Sequence, residues 1–162
     1  GIADVEAASR RLAGQAVVTP LMSSADLDAR TGARVLVKPE PLQRTGSFKF
    51  RGAYNRISQI PAEDRGRGVV AYSSGNHAQG VACAAQMFGM KATIIMPKDS
   101  PRLKIENTRG YGADVILYDR FGESREAIGQ KISAETGAIL VPPYDDPSIM
   151  AGQGTIGIEM VR

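Results

Sequence analysis

The feature that most constrains the fold is an alternation of short apolar runs with helical segments between residues 68 and 141. The apolar runs cover residues 68–72, 92–96, 114–118 and 138–141, and the helical segments cover 77–88, 101–111 and 123–136. The predicted strands are apolar on both faces, as in Ile94-Ile95-Met96. Strands of this kind, separated by helices, are typical of a parallel sheet that helices cover on both sides. We therefore predict an α/β fold with open parallel sheets flanked by helices.

Shorter patterns surround this core. Apolar residues recur at helical spacing over residues 2–12, and Ser23 or Ser24 can cap a helix over residues 25–30. Residues 34–38 predict a strand, and residues 151–162 predict a final helix that begins after a glycine-rich turn. The polar segment 64–68 and the proline-rich segment 142–147 are candidate crossings between two domains.

The turn after the first apolar run, Ser73-Ser74-Gly75-Asn76-His77, is a candidate binding site. It joins a strand to the start of a helix, where backbone N–H groups without intrahelical partners and the helix dipole attract anions. A carboxylate or a phosphate would suit such a turn. The alternative is a simple strand–helix turn without a ligand.

Lys49 is a candidate catalytic residue. It lies between Phe48 and Phe50, and a cap at Ser47 would place it in the first turn of a helix over residues 49–60. A helix N-terminus disfavours cations, and neighbouring aromatic rings remove water from an amine. The first effect makes a merely solubilising lysine unexpected at this position, and the second can lower the pKa of the amine toward the range of a nucleophile or base. The alternative is a lysine whose stem lies along an amphipathic helix with its amine in water.

Composition excludes several classes of protein. The 162 residues carry a net charge of +3 without a basic cluster, so we predict no nucleic-acid partner. No apolar run approaches the roughly 20 residues of a membrane span, and no signal peptide is evident at the start. Cys83 is the only cysteine and His77 the only histidine, which predicts no zinc site. A single cysteine also fits a reducing cytoplasm.

Long stretches of the chain resemble the fold type II (β-family) pyridoxal-phosphate enzymes, and most closely the serine/threonine dehydratase and serine racemase group. The matching segments are Lys38-Pro39-Glu40, Gln43-Arg44-Thr45-Gly46-Ser47-Phe48-Lys49-Phe50-Arg51-Gly52-Ala53, Ser73-Ser74-Gly75-Asn76-His77-Ala78-Gln79-Gly80, Pro97-Lys98 with Lys104, Glu123-Ser124-Arg125, and Ala151-Gly152-Gln153-Gly154-Thr155-Ile156. They occur in order and cover nearly the whole chain.

The resemblance implies roles for individual residues. Lys49 would carry pyridoxal 5'-phosphate as a Schiff base, Phe48 would pack against it, and Asn76 would hydrogen-bond its phenolic oxygen. The turn from Ser73 to His77 would hold the substrate carboxylate, with Ser74 serving either as a second acid/base or as a carboxylate ligand only.

Three of the implied roles have simpler alternatives. Phe48 could be a core aromatic residue. His77 could cap its helix instead of lining the site. Arg125, which the resemblance places on the substrate side of the cleft, could be a surface partner of Glu123 or Glu126.

The resemblance also implies an activity, which is dehydration and deamination of L-threonine, L-serine or a related 3-hydroxy amino acid to a 2-oxo acid and ammonia. Serine racemase is the alternative within the family. An alternative of another class is an inactive fragment, or a subunit that requires a complementary chain. Family members have a glycine-rich phosphate loop, and this sequence has no Gly-Gly pair, so we predict that a C-terminal half is missing.

The architecture of the family implies the remaining expectations. Residues 1–66 and 146–162 would belong to a large cofactor-binding domain, and residues 67–145 would form a small α/β domain. A divalent cation would bind in the missing half. The intact enzyme would be a dimer or tetramer.

Overall fold

A computed structural model describes residues 1–161 as seven helices and six strands. The helices are α1 (Ile2–Leu12), α2 (Ala25–Thr31), α3 (Lys49–Ser58), α4 (Asn76–Met87), α5 (Arg102–Gly110), α6 (Arg125–Thr136) and α7 (Pro147–Val161). The strands are β1 (Met22–Ser23), β2 (Leu36–Val37), β3 (Val69–Tyr72), β4 (Ala92–Pro97), β5 (Asp114–Tyr118) and β6 (Ile139–Leu140). Short 3₁₀ turns occupy Glu40–Leu42, Arg44–Gly46 and Ala62–Arg67. Among the described residues, the helices are too short or too polar to cross a bilayer.

The main sheet has the strand order β5-β4-β3-β6, and its strands are all parallel. The chain moves outward from β3 to β5 and then crosses back to the other side of β3. Side chains alternate between the two faces of the sheet, so that Val69 and Ala71 join one apolar cluster while Val70 and Tyr72 join the other. Helices α4 and α5 lie on the first face, and α6 lies on the second. The predicted α/β fold is therefore confirmed.

The outer strand β5 departs from the prediction of a sheet covered on both faces. Ile116 and Leu117 are each 39% exposed, whereas Ile94 and Ile95 in β4 are fully buried. The reason is position, because β5 is one of the two edge strands of the sheet and has a neighbour on one side only. Its apolar sequence alone did not distinguish an edge strand from a central one.

Several predicted boundaries are confirmed and others are wrong. Helices α1 and α2 begin and end close to the predicted positions, and the Ser24 hydroxyl caps α2 by accepting from the Leu27 N–H. The strand predicted over residues 34–38 shrinks to Leu36–Val37. Helix α7 begins at Pro147, four residues earlier than predicted, because an Asp146 carboxylate oxygen accepts from the Ile149 N–H at 2.9 Å.

The glycines assigned to a turn before the last helix lie inside α7, where they allow close packing against α3. A Cβ atom on Gly152 would lie 2.5 Å from the Arg51 carbonyl oxygen and 2.6 Å from the Gly52 Cα atom. The side-chain oxygen of Gln153 accepts a hydrogen bond from the Gly52 N–H at 3.1 Å. Small residues on both helices therefore bring the two backbones together.

The largest apolar cluster combines residues from both predicted domains. Phe50 and Ile57 of α3 pack with Val81 of α4, Ala71 of β3 and Ile149 of α7. The proposed division at residues 66/67 and 145/146 stays a prediction, and a common core lies across both boundaries.

A network of four charged side chains lies where α3, α7 and the 38–40 segment meet. Arg51 is fully buried and makes two hydrogen bonds to Glu40 and two to Glu159, with N–O distances of 2.6–2.9 Å. Lys38 lies 2.7 Å from the second carboxylate oxygen of Glu159. Two cations therefore face two anions, and the buried charges sum to zero. This arrangement fixes the helix that carries Lys49.

Candidate active site

The sheet topology identifies one crevice where a ligand would bind. Strand β3 has β4 on one side and β6 on the other, so the chain leaves β3 and β6 in opposite directions around the sheet. In open α/β sheets such a switch point leaves a crevice at the carboxyl ends of the two strands. Here the turn after β3, residues 73–75, faces the segment after β6, residues 141–143.

The turn after β3 has the geometry of an anion site. The Ser73 hydroxyl accepts from the Gly75 N–H at 3.1 Å, and α4 begins at the next residue, Asn76. Ser74 and Asn76 are exposed, and the backbone N–H groups of the first turn of α4 lack partners within the helix. Their partial positive charge and the helix dipole favour a carboxylate at this position.

Lys49 occupies the first position of α3, as predicted, but Ser47 does not cap the helix. Ser47 has an extended backbone, and its buried hydroxyl has no hydrogen-bond partner among the described residues. The Lys49 amine donates to the Pro143 carbonyl oxygen at 2.7 Å and lies 5.4 Å from the centre of the Phe48 ring. Phe48 is 39% exposed, so it is not a core aromatic residue.

The environment of Lys49 favours the neutral amine. The side chain is half-buried, and burial lowers the pKa of the amine below its usual value. Its hydrogen-bond partner is an uncharged carbonyl, which does not reverse this effect. The predicted cause, loss of water around the amine, is therefore the cause found in the structure.

Helices α3 and α4 start side by side, which brings Lys49 close to the turn after β3. A Cβ atom on Gly80 would lie 3.2 Å from the Lys49 carbonyl carbon and oxygen. The charge on Lys49 also reaches His77 and helps to lower the pKa of that imidazole. The two motifs that the sequence singled out therefore lie next to each other.

The His77 ring is buried behind the turn and contacts the segment after β6, and its role toward the substrate stays a prediction. The side chain is 2% exposed, and Nε2 lies 3.0 Å from the Val141 carbonyl oxygen. Burial lowers the pKa of the imidazole to about 4, so the ring is neutral near pH 7. Because a carbonyl only accepts, Nε2 carries the proton and donates, and Nδ1 is a bare acceptor with no partner among the described residues. The ring therefore has no free N–H for a carboxylate, which leaves the backbone N–H of His77 for that role.

Arg125 makes one of the surface ion pairs that the sequence left open, and its role on the substrate side of the cleft stays a prediction. Its Nε donates to Glu126 at 2.8 Å, which confirms an ion pair with that residue and not with Glu123. The guanidinium also lies 5.2 Å from the centre of the Tyr72 ring and 3.5 Å from the Tyr144 hydroxyl. Since Tyr144 follows the Pro143 carbonyl that binds Lys49, Arg125 lies at the margin of the crevice.

Sequence reasoning missed two contributors to the site. The first is the carbonyl-bearing segment Val141–Pro143, which has no side-chain signal because it binds through backbone oxygens. The second is Lys104 of α5, which donates to the Asn76 side-chain oxygen at 3.1 Å. Lys104 belongs to a motif that the resemblance includes, yet its position on a different helix gave no indication of this contact.

A family model for pyridoxal-phosphate dependent enzymes matches residues 13–162. The chain belongs to this family. An L-threo-3-hydroxyaspartate ammonia-lyase of a Pseudomonas species is 53% identical over 159 residues, which are 98% of this chain and 50% of that protein. An L-threonine ammonia-lyase of Thermotoga maritima is 51% identical over 160 residues, which are 98% of this chain and 40% of that protein.

Solved structures agree with this assignment. Maize serine racemase superposes with a TM-score of 0.94 at 40% identity, over 99% of this chain and 49% of that one. The chain therefore spans about half the length, or less, of the relatives that it matches. The resemblance inferred from the motifs is confirmed at the level of the family and its fold.

The residues at the crevice fit pyridoxal phosphate, the cofactor after which this family is named. Pyridoxal phosphate reacts through its aldehyde with a neutral lysine amine, and burial of Lys49 lowers the pKa of its amine toward that form. Asn76 is exposed, and its side-chain oxygen accepts from Lys104. Its NH₂ group can therefore donate to an oxyanion of a ligand. The acceptor Nδ1 of His77 is buried nearby without a partner in the described part of the chain.

Proposed function

We propose that the protein is a pyridoxal-phosphate dependent ammonia-lyase that acts on a 3-hydroxy amino acid. The substrate would lose its β-hydroxyl as water, and one water molecule would then hydrolyse the resulting imine to a 2-oxo acid and ammonia, so that no water is lost overall. L-Threonine, L-serine and L-threo-3-hydroxyaspartate are the substrates to compare. The observation that carries the proposal is the Lys49 amine, which has a lowered pKa and lies beside an anion-binding turn at the sheet's switch point.

Each residue of the crevice has a part in this proposal. Bound through Lys49, pyridoxal phosphate would supply an electron sink for the charge that develops at the substrate Cα atom. Phe48 would pack against the cofactor, and the carboxamide of Asn76 would donate to it. The backbone N–H groups from Ser74 to His77 would hold the substrate carboxylate and thereby fix the direction of its Cα–H bond.

Proton movement would rest on Lys49 and Ser74. Burial lowers the pKa of the Lys49 amine and so increases the fraction that can accept a proton, which suits Lys49 to take the proton from the substrate Cα atom. Ser74 has an exposed hydroxyl on the same turn. In an ammonia-lyase this hydroxyl needs only to contact the carboxylate.

Comparison of two lysine variants tests the activity of the full-length protein. Lys49→Ala should abolish the visible absorption of the bound cofactor and lower turnover by about a hundredfold or more, the range for loss of a positioned acid–base group. Lys131→Ala is the control, because that exposed ammonium lies 3.9 Å from Glu135 on α6. Ammonia and 2-oxo acid are measured with each substrate. Turnover by Lys49→Ala at the rate of the control would refute the proposal.

Serine racemase is a second candidate, supported by the exposed Ser74 hydroxyl and by the similarity to maize serine racemase. A racemase needs an acid/base on each face of the substrate, and Ser74 would be the second one. Ser74→Ala should then stop racemisation while elimination continues. Equal loss of both activities would argue against a separate base at Ser74.

The wider predictions belong to the same proposal. Since the relatives are about twice as long, we propose that the complete activity requires a second half of similar length, which supplies the phosphate loop and a divalent-cation site. We also propose a dimer or tetramer, located in the cytoplasm. If the 162-residue chain alone is an inactive subunit, adding the complementary half should restore cofactor binding.

A further inference from the structure

We propose that Lys104 is a positioning residue for Asn76, which holds the Asn76 carboxamide with its NH₂ group free to donate to an oxyanion. This inference rests on the proposed function, because it assigns the oxyanion to the cofactor or substrate in the Lys49 crevice. Lys104 touches neither of them in this assignment and acts through Asn76.

Helices α4 and α5 are joined by two polar pairs that lie one helical turn apart. The Lys104 amine donates to Asn76 Oδ1 at 3.1 Å, and the Asn107 amide donates to Gln79 Oε1 at 3.1 Å. In each helix the two partners are three residues apart, so they lie on one face. The second pair keeps α5 in register with α4 and brings Lys104 to the first residue of α4.

The chemistry of an ammonium group determines how the Asn76 amide is turned. A lysine ammonium has donors and no acceptor, so it faces the carboxamide oxygen and never the NH₂ group. The two N–H donors of Asn76 therefore point away from Lys104. An amide without this contact can rotate and present its oxygen, which would repel a negatively charged ligand.

Gly75 provides the space that this contact needs. A Cβ atom at position 75 would lie 2.5 Å from Lys104 Cδ and 2.8 Å from Lys104 Nζ, so the lysine stem crosses directly over the glycine. The absence of a side chain at Gly75 therefore leaves room for the lysine stem.

A double-mutant cycle in the full-length protein tests the proposal. The variants are Lys104→Met, Asn76→Ala and the double variant, and the readout is the dissociation constant for pyridoxal phosphate. Lys104→Met should weaken binding by about tenfold or more, the effect expected from losing a hydrogen bond to a charged group. In the Asn76→Ala background the same substitution should have no effect, because its target is gone.

Two outcomes would overturn the proposal. If Lys104→Met weakens binding by the same factor with and without Asn76, the lysine acts by its charge or by direct contact with the ligand. If it changes nothing in either background, the contact has no role. Gly75→Ala offers a second route to the same loss, since the new methyl group displaces the lysine stem, and Lys104→Met should add nothing to it.

A cofactor-free measurement separates this proposal from the proposed function. The side-chain NH₂ resonances of Asn76 should shift in Lys104→Met and stay in place in the control Lys131→Met. If the wild-type protein binds no pyridoxal phosphate, the proposed function fails, yet the resonances still decide whether Lys104 holds Asn76. Unchanged Asn76 resonances in Lys104→Met would refute the positioning role even in an active enzyme.

Discussion

Lys49 and Arg51 are two residues apart on α3, and their surroundings shift the pKa values of the two side chains in opposite directions. The Arg51 guanidinium is fully buried, and the hydrogen bonds that it donates to two carboxylates outweigh its burial and raise its pKa. The Lys49 amine is half-buried beside one carbonyl and an aromatic ring, and burial lowers its pKa. Two carboxylates hold the Arg51 cation, whereas the Lys49 amine has no carboxylate partner in the part of the chain that the structure describes.

This difference separates the charged network around Arg51, which stabilises the fold at the site, from Lys49, which we propose to react there. Removing a partner from a buried, paired charge leaves the other charge uncompensated in a medium of low polarity. Removing an unpaired amine leaves no such charge behind. We therefore expect substitutions in the Arg51 network to lower stability, and substitutions at Lys49 to alter chemistry alone.

Arg51→Ala should produce the largest loss of stability. It leaves Glu40 and Glu159 facing each other without the guanidinium, and we expect the free energy of unfolding to fall by about 3–5 kcal/mol. Arg102→Ala is the control, because its pair with Glu106 is exposed on α5 and should contribute less than about 1 kcal/mol. Urea titration of both variants decides the comparison. Equal losses would show that burial of the ion pair is unimportant.

His77 makes stability depend on pH, because its pKa is about 4 in the folded protein and 6.5 in a free side chain. Between these values the unfolded chain binds a proton that the folded protein does not, so stability falls as pH falls from 6.5 to 4. The loss should be on the order of 3 kcal/mol. His77→Gln keeps a donor for the Val141 carbonyl and does not titrate. The difference in stability between wild type and variant should therefore change over this pH range, and parallel curves would contradict the assignment.

Gly152→Ala tests the close approach of α7 to α3 that supports the Arg51 network. The new methyl group would meet the Arg51 carbonyl oxygen, so the helices must separate, and we expect a loss of about 1–3 kcal/mol. Gly157→Ala on the same helix is the matched control, because a Cβ atom there has open space. That substitution should be neutral or stabilise by up to about 1 kcal/mol. Thermal unfolding of the two variants gives the answer directly.

The sequence predicted the central fold well because its signals are local. Strands such as β3 and β5 are continuous apolar runs between turn residues, and the Lys49 and Ser73–His77 motifs lie at the ends of regular elements. Helix α7 was placed too late because its glycines indicate a turn when they are considered alone. Their actual role depends on α3, which lies about a hundred residues earlier in the chain.

The parts of the site that escaped prediction depend on contacts between distant segments. The Pro143 carbonyl meets Lys49 only because β6 returns to the far side of β3. The tautomer of His77 depends on the Val141 carbonyl, which the same return of β6 brings to the imidazole ring. Backbone acceptors carry no residue-specific signal, so no motif search over this sequence would have found them. The function of Lys104 similarly requires knowing that α5 packs on α4.

Lys49→Met should give the smallest change in stability and thereby sharpen the contrast with Arg51. Methionine fills a similar volume, and the substitution loses one hydrogen bond, about 1 kcal/mol, while it relieves the partial burial of an amine. These effects oppose each other, so the free energy of unfolding should change by less than about 1 kcal/mol, as urea titration can measure. A loss as large as that of Arg51→Ala would mean that Lys49 is a structural residue. A small change together with lost turnover would mean that the fold keeps an amine at this position for its reactivity, because the amine adds nothing to stability.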